Sequence, residues 1–347
     1  MEQRFSSPSD SASLLGLSAN DVLSFRMLPS PVEVLAAAHR LRGVIERTPL
    51  LRSNALSVIA GVDVRLKCEN LQRTGSFKLR GAYNALATLP AEFRARGIVA
   101  SSAGNHGLGV AHSAQLLGVR ARIFVPASAP AVKRDGIRAL GAEVDQTQPH
   151  YDEAHIAAVA YADANGMTFV NPCAGEALLA GQGTVALEIL EELPDVRTLV
   201  VPVGGGGLVG GIGALLRAIA PEVRIVGAQS DRANAMAASL EAGRRVEVGV
   251  TPTLADGLSG QIDDEGLAIG QFAIDEMRVV SEAQIGQAIA WLAREHDVKV
   301  EGSGAVGVAA LLSARAGGLE GPIAVVISGG NIDQERWGAL VSADRAR

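Results

Sequence analysis

Four short stretches of this sequence carry residues whose types and spacing could do covalent chemistry. Gly75-Ser76-Phe77-Lys78-Leu79-Arg80-Gly81 sets a lysine among apolar and small residues, where a helical run through Leu79, Ala82, Tyr83, Leu86 and Leu89 begins. An amine partly stripped of water is more readily neutral, and a neutral amine attacks an aldehyde to form a Schiff base. Ser101-Ser102-Ala103-Gly104-Asn105-His106-Gly107 puts small residues at a helix start. Unpaired N–H groups and the positive helix end suit a carboxylate there. Asn105 adds an amide able to reach a phenolic or carbonyl oxygen. Gly204-Gly205-Gly206-Gly207-Leu208 follows an apolar strand, and residues without Cβ let successive N–H groups curl around a phosphate dianion. Ser328-Gly329-Gly330-Asn331-Ile332-Asp333 offers a hydroxyl that can donate to an aromatic ring nitrogen without protonating it.

Each stretch has a plainer reading when taken alone. A lysine is ordinarily a solvated charge. Ser102 could be a simple N-cap, with His106 a satisfied structural side chain. Four glycines could serve a flexible turn, although the ordering entropy is more than a plain connection requires. The Ser328 stretch could be an Asx or glycine turn. A dinucleotide fingerprint can be forced onto Gly205, Gly207 and Gly210, but the next strand ends in Gln229 rather than an acid.

The elements that must position these stretches follow an alternating pattern. Short apolar runs (62–67, 97–100, 121–125, 167–170, 198–203, 223–226 and 323–327) are separated by alanine- and leucine-rich runs of helical period, among them 105–117, 132–140, 209–220 and 305–314. Strands apolar on both faces and separated by helices imply parallel sheets covered on both sides. Ligands then lie beyond the carboxyl ends of the strands, where all the chemistry-bearing loops fall. The 347 residues suffice for two lobes sharing a cleft, and 40 glycines suit tight strand-to-helix turns. A net charge of −6 excludes nucleic acid as a default partner. Only Cys68 and Cys173 occur, without metal-type spacing, and no apolar run reaches membrane-spanning length. A cytoplasmic protein with neither membrane nor nucleic-acid partner is therefore expected. Residues 1–30, rich in Ser and Asp, are expected to form an N-terminal arm.

Taken together and in order, Ser76-Phe77-Lys78, Ser102 to His106, the tetraglycine turn and Ser328 to Asn331 resemble the fold type II (tryptophan synthase β-like) pyridoxal-phosphate enzymes. Within that group the chain is similar to the threonine dehydratase and serine racemase branch. Glu69-Asn70-Leu71-Gln72, Ala180-Gly181-Gln182-Gly183-Thr184 and Leu254-Ala255-Asp256-Gly257 extend the likeness, which runs from about Val34 to Asp333. The resemblance implies a two-lobed α/β fold of three-layer αβα architecture. A larger lobe would comprise 31–72 and 172–347, and a smaller mobile lobe 73–171. It implies pyridoxal 5′-phosphate held covalently by Lys78, with Phe77 beside the ring, Asn105 on its 3-oxygen, Gly204, Gly205, Gly206, Gly207 and Leu208 at the phosphate, Gly257 at the cofactor edge and Ser328 at the ring nitrogen. The substrate carboxylate would sit on Ser102, Ala103, Gly104, Asn105 and His106. Lys78, once released, would be the base at Cα.

The implied reaction is dehydration of a β-hydroxy-α-amino acid to a 2-oxo acid and ammonia, the work of a carbon–oxygen or ammonia lyase in amino-acid catabolism. A serine at the ring nitrogen leaves the ring neutral, which favours β-elimination over transamination. Ala103 stands where racemases carry a second serine, so racemisation should be minor. Gln229 and Ala235 replace the acids of a cation site in relatives, so no metal is expected. His155 aligns with an arginine that racemases use near the substrate, which argues against a dicarboxylate. Small residues in Asn171-Pro172-Cys173-Ala174-Gly175-Glu176-Ala177 would leave room for threonine or serine, or for a bulkier substrate such as phenylserine or a hydroxyectoine-derived amino acid. Two alternatives stand beside this reading: β-replacement on the same cofactor, and cofactor binding without turnover. The remaining histidines and Glu301 are expected to be structural. Relatives of this kind imply a homodimer or homotetramer.

Overall fold

The computed structural model describes residues 28–129, 131–249, 251–313 and 318–345. The stretch expected to form an N-terminal arm lies outside these residues except for 28–30.

Among the described residues ten strands, β1 Leu50–Arg52, β2 Val64–Lys67, β3 Ile98–Ser101, β4 Ala121–Phe124, β5 Glu143–Asp145, β6 Thr168–Phe169, β7 Thr198–Pro202, β8 Arg224–Ser230, β9 Glu276–Val280 and β10 Ile323–Val326, build two sheets. The larger runs β1-β2-β10-β7-β8-β9 and the smaller β5-β4-β3-β6. Every pairing is parallel except β1 with β2, where Leu51 faces Leu66 in an antiparallel register. The sheets are parallel as expected, with one antiparallel edge. A single short strand can turn back at an edge without needing a crossover helix.

Strand order brings the chemistry together. β10 lies between β2 and β7, so the loops leaving these three neighbours emerge side by side. They carry Lys78, the Ser328 turn and the tetraglycine turn. β3 is central in the smaller sheet and delivers the Ser102–Asn105 loop. One hydrophobic cluster reaches from Val34, Val201 and Ile212 to Ile98, Val110 and Ile123, so the two sheets share it. A second cluster covers the other side of the larger sheet, with Leu66, Val200, Ile289, Val306 and Val325. Val99, Phe124 and Ala158 form a third on the smaller sheet.

The helix Glu176–Glu192 crosses two neighbours at close range through the Gly181-Gln182-Gly183 run. A Cβ on Gly181 would come within 2.5 Å of the Arg80 carbonyl oxygen, and one on Gly183 within 2.7 Å of the Gly211 carbonyl oxygen. Any larger residue there would push the helix Lys78–Thr88 or the helix Gly207–Ile219 off its seat. A buried ionic network locks the same junction. Arg80 donates Nε and Nη2 to Glu69 at 2.8 and 2.7 Å, and Nη1 and Nη2 to Glu188 at 2.7 and 2.9 Å. Lys67 Nζ donates to Glu188 at 2.6 Å and to the Thr48 carbonyl at 2.7 Å. Among the described residues no helix is long and apolar enough to cross a membrane.

Candidate active site

Lys78 is the first residue of the helix Lys78–Thr88, and its position is fixed from three sides. The preceding loop lies on the Ser328 turn. Phe77 N–H donates to the Ser328 carbonyl at 3.1 Å and Gly330 N–H to the Gly75 carbonyl at 2.9 Å. From the smaller sheet, Gly109 of the helix Asn105–Leu117 packs on the Lys78 backbone, where a Cβ would come within 3.2 Å of its carbonyl carbon. The amine itself donates to the Pro172 carbonyl at 2.6 Å. Pro172 belongs to a turn in which Asn171 Oδ1 accepts the N–H groups of Cys173 and Ala174, at 2.8 and 3.0 Å. The Phe77 ring centre is 5.2 Å from the lysine nitrogen. Lys78 is thus half-buried and close to a segment that sequence alone placed only by resemblance.

Asn105 opens its helix, so N–H groups of the first turn have no intrahelical acceptor. Its side chain is bonded at both ends: Nδ2 donates to Glu301 Oε1 at 2.7 Å, and Oδ1 accepts Asn331 Nδ2 at 2.7 Å. Ser102 Oγ accepts the Gly104 N–H at 3.1 Å and shapes the turn, while Ala103 packs against the shared core. His106 contributes its backbone but not its ring. The imidazole is buried, its Nε2 meets the Val170 carbonyl at 3.0 Å, and burial, then the Lys78 charge, pushes it down to about 3. A neutral His106 ties the loop to the carbonyl just beyond β6.

The tetraglycine turn forms a cradle. Gly206 has φ 101° and caps the helix Gly207–Ile219, whose second residue, Leu208, is buried. A Cβ on Gly205 would lie 2.9 Å from Cys173 Sγ, one on Gly207 2.9 Å from Cys173 Cα, and one on Gly204 3.2 Å from Leu258 Cα. Any side chain would collide with Cys173 or Leu258, and four residues without Cβ before a helix start suit a phosphate. Gly257 lies at its rim with its N–H donated to Ser303 Oγ at 2.9 Å. Ser303 in turn accepts the Ser328 hydroxyl through its carbonyl at 3.4 Å, a long bond that a ring nitrogen can replace. Gly329 joins the two halves: a Cβ there would come within 3.1 Å of Asn105 Nδ2. An amine, an anion cradle, an amide and a hydroxyl therefore converge as pyridoxal phosphate requires.

A model of the family described as "Pyridoxal-phosphate dependent enzyme" matches residues 41–329. The chain belongs to that family. This pyridoxal-phosphate enzyme is 45% identical over 303 residues to the L-threonine ammonia-lyase of Thermotoga maritima, covering 87% of this chain and 75% of that one. Among solved structures it is similar to maize serine racemase, with TM-score 0.85, 30% identity and coverage of 92% and 98%. It is also similar to the processed threonine deaminase isoform 2 of Solanum lycopersicum, with TM-score 0.84, 34% identity and coverage of 90% and 91%.

Two contacts in the cleft of this pyridoxal-phosphate enzyme were not legible in its sequence. Pro172 acts through its carbonyl, which no side-chain pattern reveals. Glu301, read there as structural, touches Asn105 across 196 residues of chain. A signal did exist: its neighbours Val298, Val300, Gly302 and Gly304 are apolar or small, an unusual setting for an exposed acid.

Proposed function

We propose that this enzyme is an ammonia-lyase that dehydrates β-hydroxy-α-amino acids, with threonine as its principal substrate, giving a 2-oxo acid, ammonia and no net redox change. The observation that carries the reading is the convergence of the Lys78 amine, the open helix start at Asn105 and the Ser328 hydroxyl on one cleft. The relatives named as threonine ammonia-lyase and threonine deaminase support it. When bound, pyridoxal phosphate supplies an electron sink that makes the substrate Cα–H acidic.

The chain's own residues supply the rest. Helix-start N–H groups hold the substrate carboxylate, and the cradle at Gly204–Gly207 holds the phosphate. Lys78 Nζ takes the proton from Cα; the β-hydroxyl leaves as water with one proton in exchange, and the enamine released takes up one water to give 2-oxo acid and ammonia, so the only net change is loss of ammonia. Ser328 donates to the ring nitrogen rather than protonating it. Ala103 has no group able to return a proton to the opposite face, so elimination dominates racemisation. Closure of residues 73–171 onto the remainder would exclude water. We assign this division, a homodimer or homotetramer and a cytoplasmic location to the same proposal.

The turn at Pro172-Cys173-Ala174-Gly175, whose Pro172 carbonyl meets the Lys78 amine, carries small side chains. This supports room for a bulky β-substituent. In an assay of 2-oxo acid formation, threonine is expected to turn over fastest and phenylserine measurably. Phenylserine inert beside active threonine would confine the pocket to small substrates, and threonine inert would remove the functional reading.

We expect activity without an added cation, and a second local arrangement supports this. Gln229 Oε1 accepts the Ala237 N–H at 2.9 Å, pinning the helix Ala235–Ala242 with an amide. Glu282 gathers the Ser230 and Thr253 hydroxyls and the Leu254 N–H, at 2.5, 2.6 and 2.5 Å. These bonds hold the segment after β8 through protein groups. Threonine deamination measured after exhaustive chelation is expected to match the untreated rate; a loss restored by magnesium would contradict this.

A further inference from the structure

Glu301 is buried immediately before the helix Gly302–Leu312, and the reaction outlined above does not use it. Its carboxyl nevertheless receives Asn105 Nδ2 at 2.7 Å and the backbone N–H of Asn331. On the other side of the Asn105 amide, Asn331 Nδ2 donates to Oδ1 at 2.7 Å and to the Thr74 carbonyl at 2.8 Å. An amide with a donor at its oxygen and an acid at its nitrogen cannot turn over: rotation would set oxygen against oxygen and N–H against N–H. One Nδ2 proton is taken by Glu301, which leaves one for a ligand.

We propose that Glu301 is a positioning residue for this reaction: it orients the Asn105 amide toward the 3-oxygen of bound pyridoxal phosphate and, by its charge, sets how strongly that amide donates. As a carboxylate it draws a charge-assisted bond from one N–H and enriches the nitrogen, weakening the second N–H as a donor; as a neutral acid it relaxes that effect. The site makes both forms accessible. Burial first, and then the charge of Asp256, push Glu301 up to about 7, against the Asn105 bond, Lys133 and the Asn331 N–H, which pull it down. Asp256, in the turn Asp256–Leu258, and Lys133, in the helix Ala131–Ala139, are the charged groups facing it, and they pair with each other at 3.2 Å. Acid protonates Glu301 and strengthens the Asn105 bond to the ring oxygen; base does the reverse.

The proposal rests on the pyridoxal-phosphate site, not on threonine as substrate, so its test is spectroscopic and substrate-free. The visible band of bound cofactor responds to hydrogen bonding at the ring oxygen. In wild-type holoenzyme it is expected to shift with pH around a midpoint close to that of Glu301. Glu301→Gln keeps an acceptor oxygen for Asn105 but cannot ionise. Its band should be flat across neutral pH, while cofactor affinity stays within about threefold, well under the tenfold that a lost charged hydrogen bond represents. Glu301→Ala frees the amide, and both cofactor affinity and kcat for threonine should fall by about tenfold or more with KM little changed. A Glu301→Gln band that titrates like wild type overturns the proposal, and so does a Glu301→Ala enzyme with wild-type affinity and spectrum. Should Glu301→Ala not fold, the Glu301→Gln titration decides alone. Failure to bind cofactor in the wild type would instead overturn the site itself.

Discussion

Lys78→Ala is expected to abolish threonine deamination, with kcat/KM falling by at least about 10²–10⁴-fold, the range a positioned proton-transfer group supplies. Loss of the covalent attachment to the cofactor adds to that. The protein should still fold, because the lysine nitrogen makes one hydrogen bond, to the Pro172 carbonyl, and the side chain is half-buried. Lys78→Arg is expected to fail equally: a guanidinium is always charged and cannot attack an aldehyde or accept the Cα proton. Steady-state kinetics with unfolding curves on the same preparations checks both halves. A Lys78→Arg enzyme that retains activity would mean the amine chemistry has been assigned to the wrong residue.

Arg80→Met is expected to cost about 3–5 kcal/mol of folding stability, the usual penalty for leaving a buried charge without its partner. In the wild type, Arg80 and Lys67 face Glu69 and Glu188 in a site where both cations and Glu69 have no exposed side-chain surface. Methionine is close in bulk but leaves Glu188 with Lys67 and Glu69 with no cation. The pH dependence carries the sign of this effect. Burial alone would raise Glu188, but the hydrogen bonds and charges of Arg80 and Lys67 outweigh it and hold its carboxyl below the ordinary range. Stability that depends on that carboxylate is therefore present above the ordinary carboxyl pKa and is lost as pH falls through the lowered value. In the variant the deficit should be full at neutral pH and shrink in acid, where protonating Glu188 removes the wild type's own ion pair with Arg80. Urea unfolding at several pH values measures it; a deficit below about 1 kcal/mol at neutral pH would show that the network adds little. Since Arg80 lies two residues beyond Lys78 on one helix, kcat should fall as well.

The fold was legible wherever local chemistry and long-range packing agree. The apolar runs at β7 and β10, on both faces of which a core must form, show their strands plainly, and the helix Asn105–Leu117 falls on the bounds its pattern indicates. The strands that escaped notice, β1, β5 and β9, carry exposed or half-buried residues such as Arg52, Glu143 and Glu276. Their pairing comes from neighbours in the sheet, not from their own hydrophobicity.

The candidate site divides in the same way. Lys78 and the tetraglycine turn announce themselves because their chemistry is local: an amine at a helix start, and four residues without Cβ. Glu301 and Arg80 do not, because each takes its meaning from partners distant in sequence. Glu301 meets Asn105 and Asn331, and Arg80 meets Glu69 and Glu188. His106 shows how a ring in such a loop can still be structural. Its place in the loop left both a substrate role and a structural one open, and the fold turns its ring inward to the Val170 carbonyl.

The most direct measurement is to reconstitute the protein with pyridoxal 5′-phosphate, reduce it with borohydride and map the modified peptide by mass spectrometry. The account predicts one stoichiometric pyridoxyl adduct, on Lys78, and loss of the visible band as it forms. An adduct on another lysine, or cofactor that washes away unreduced, would contradict it.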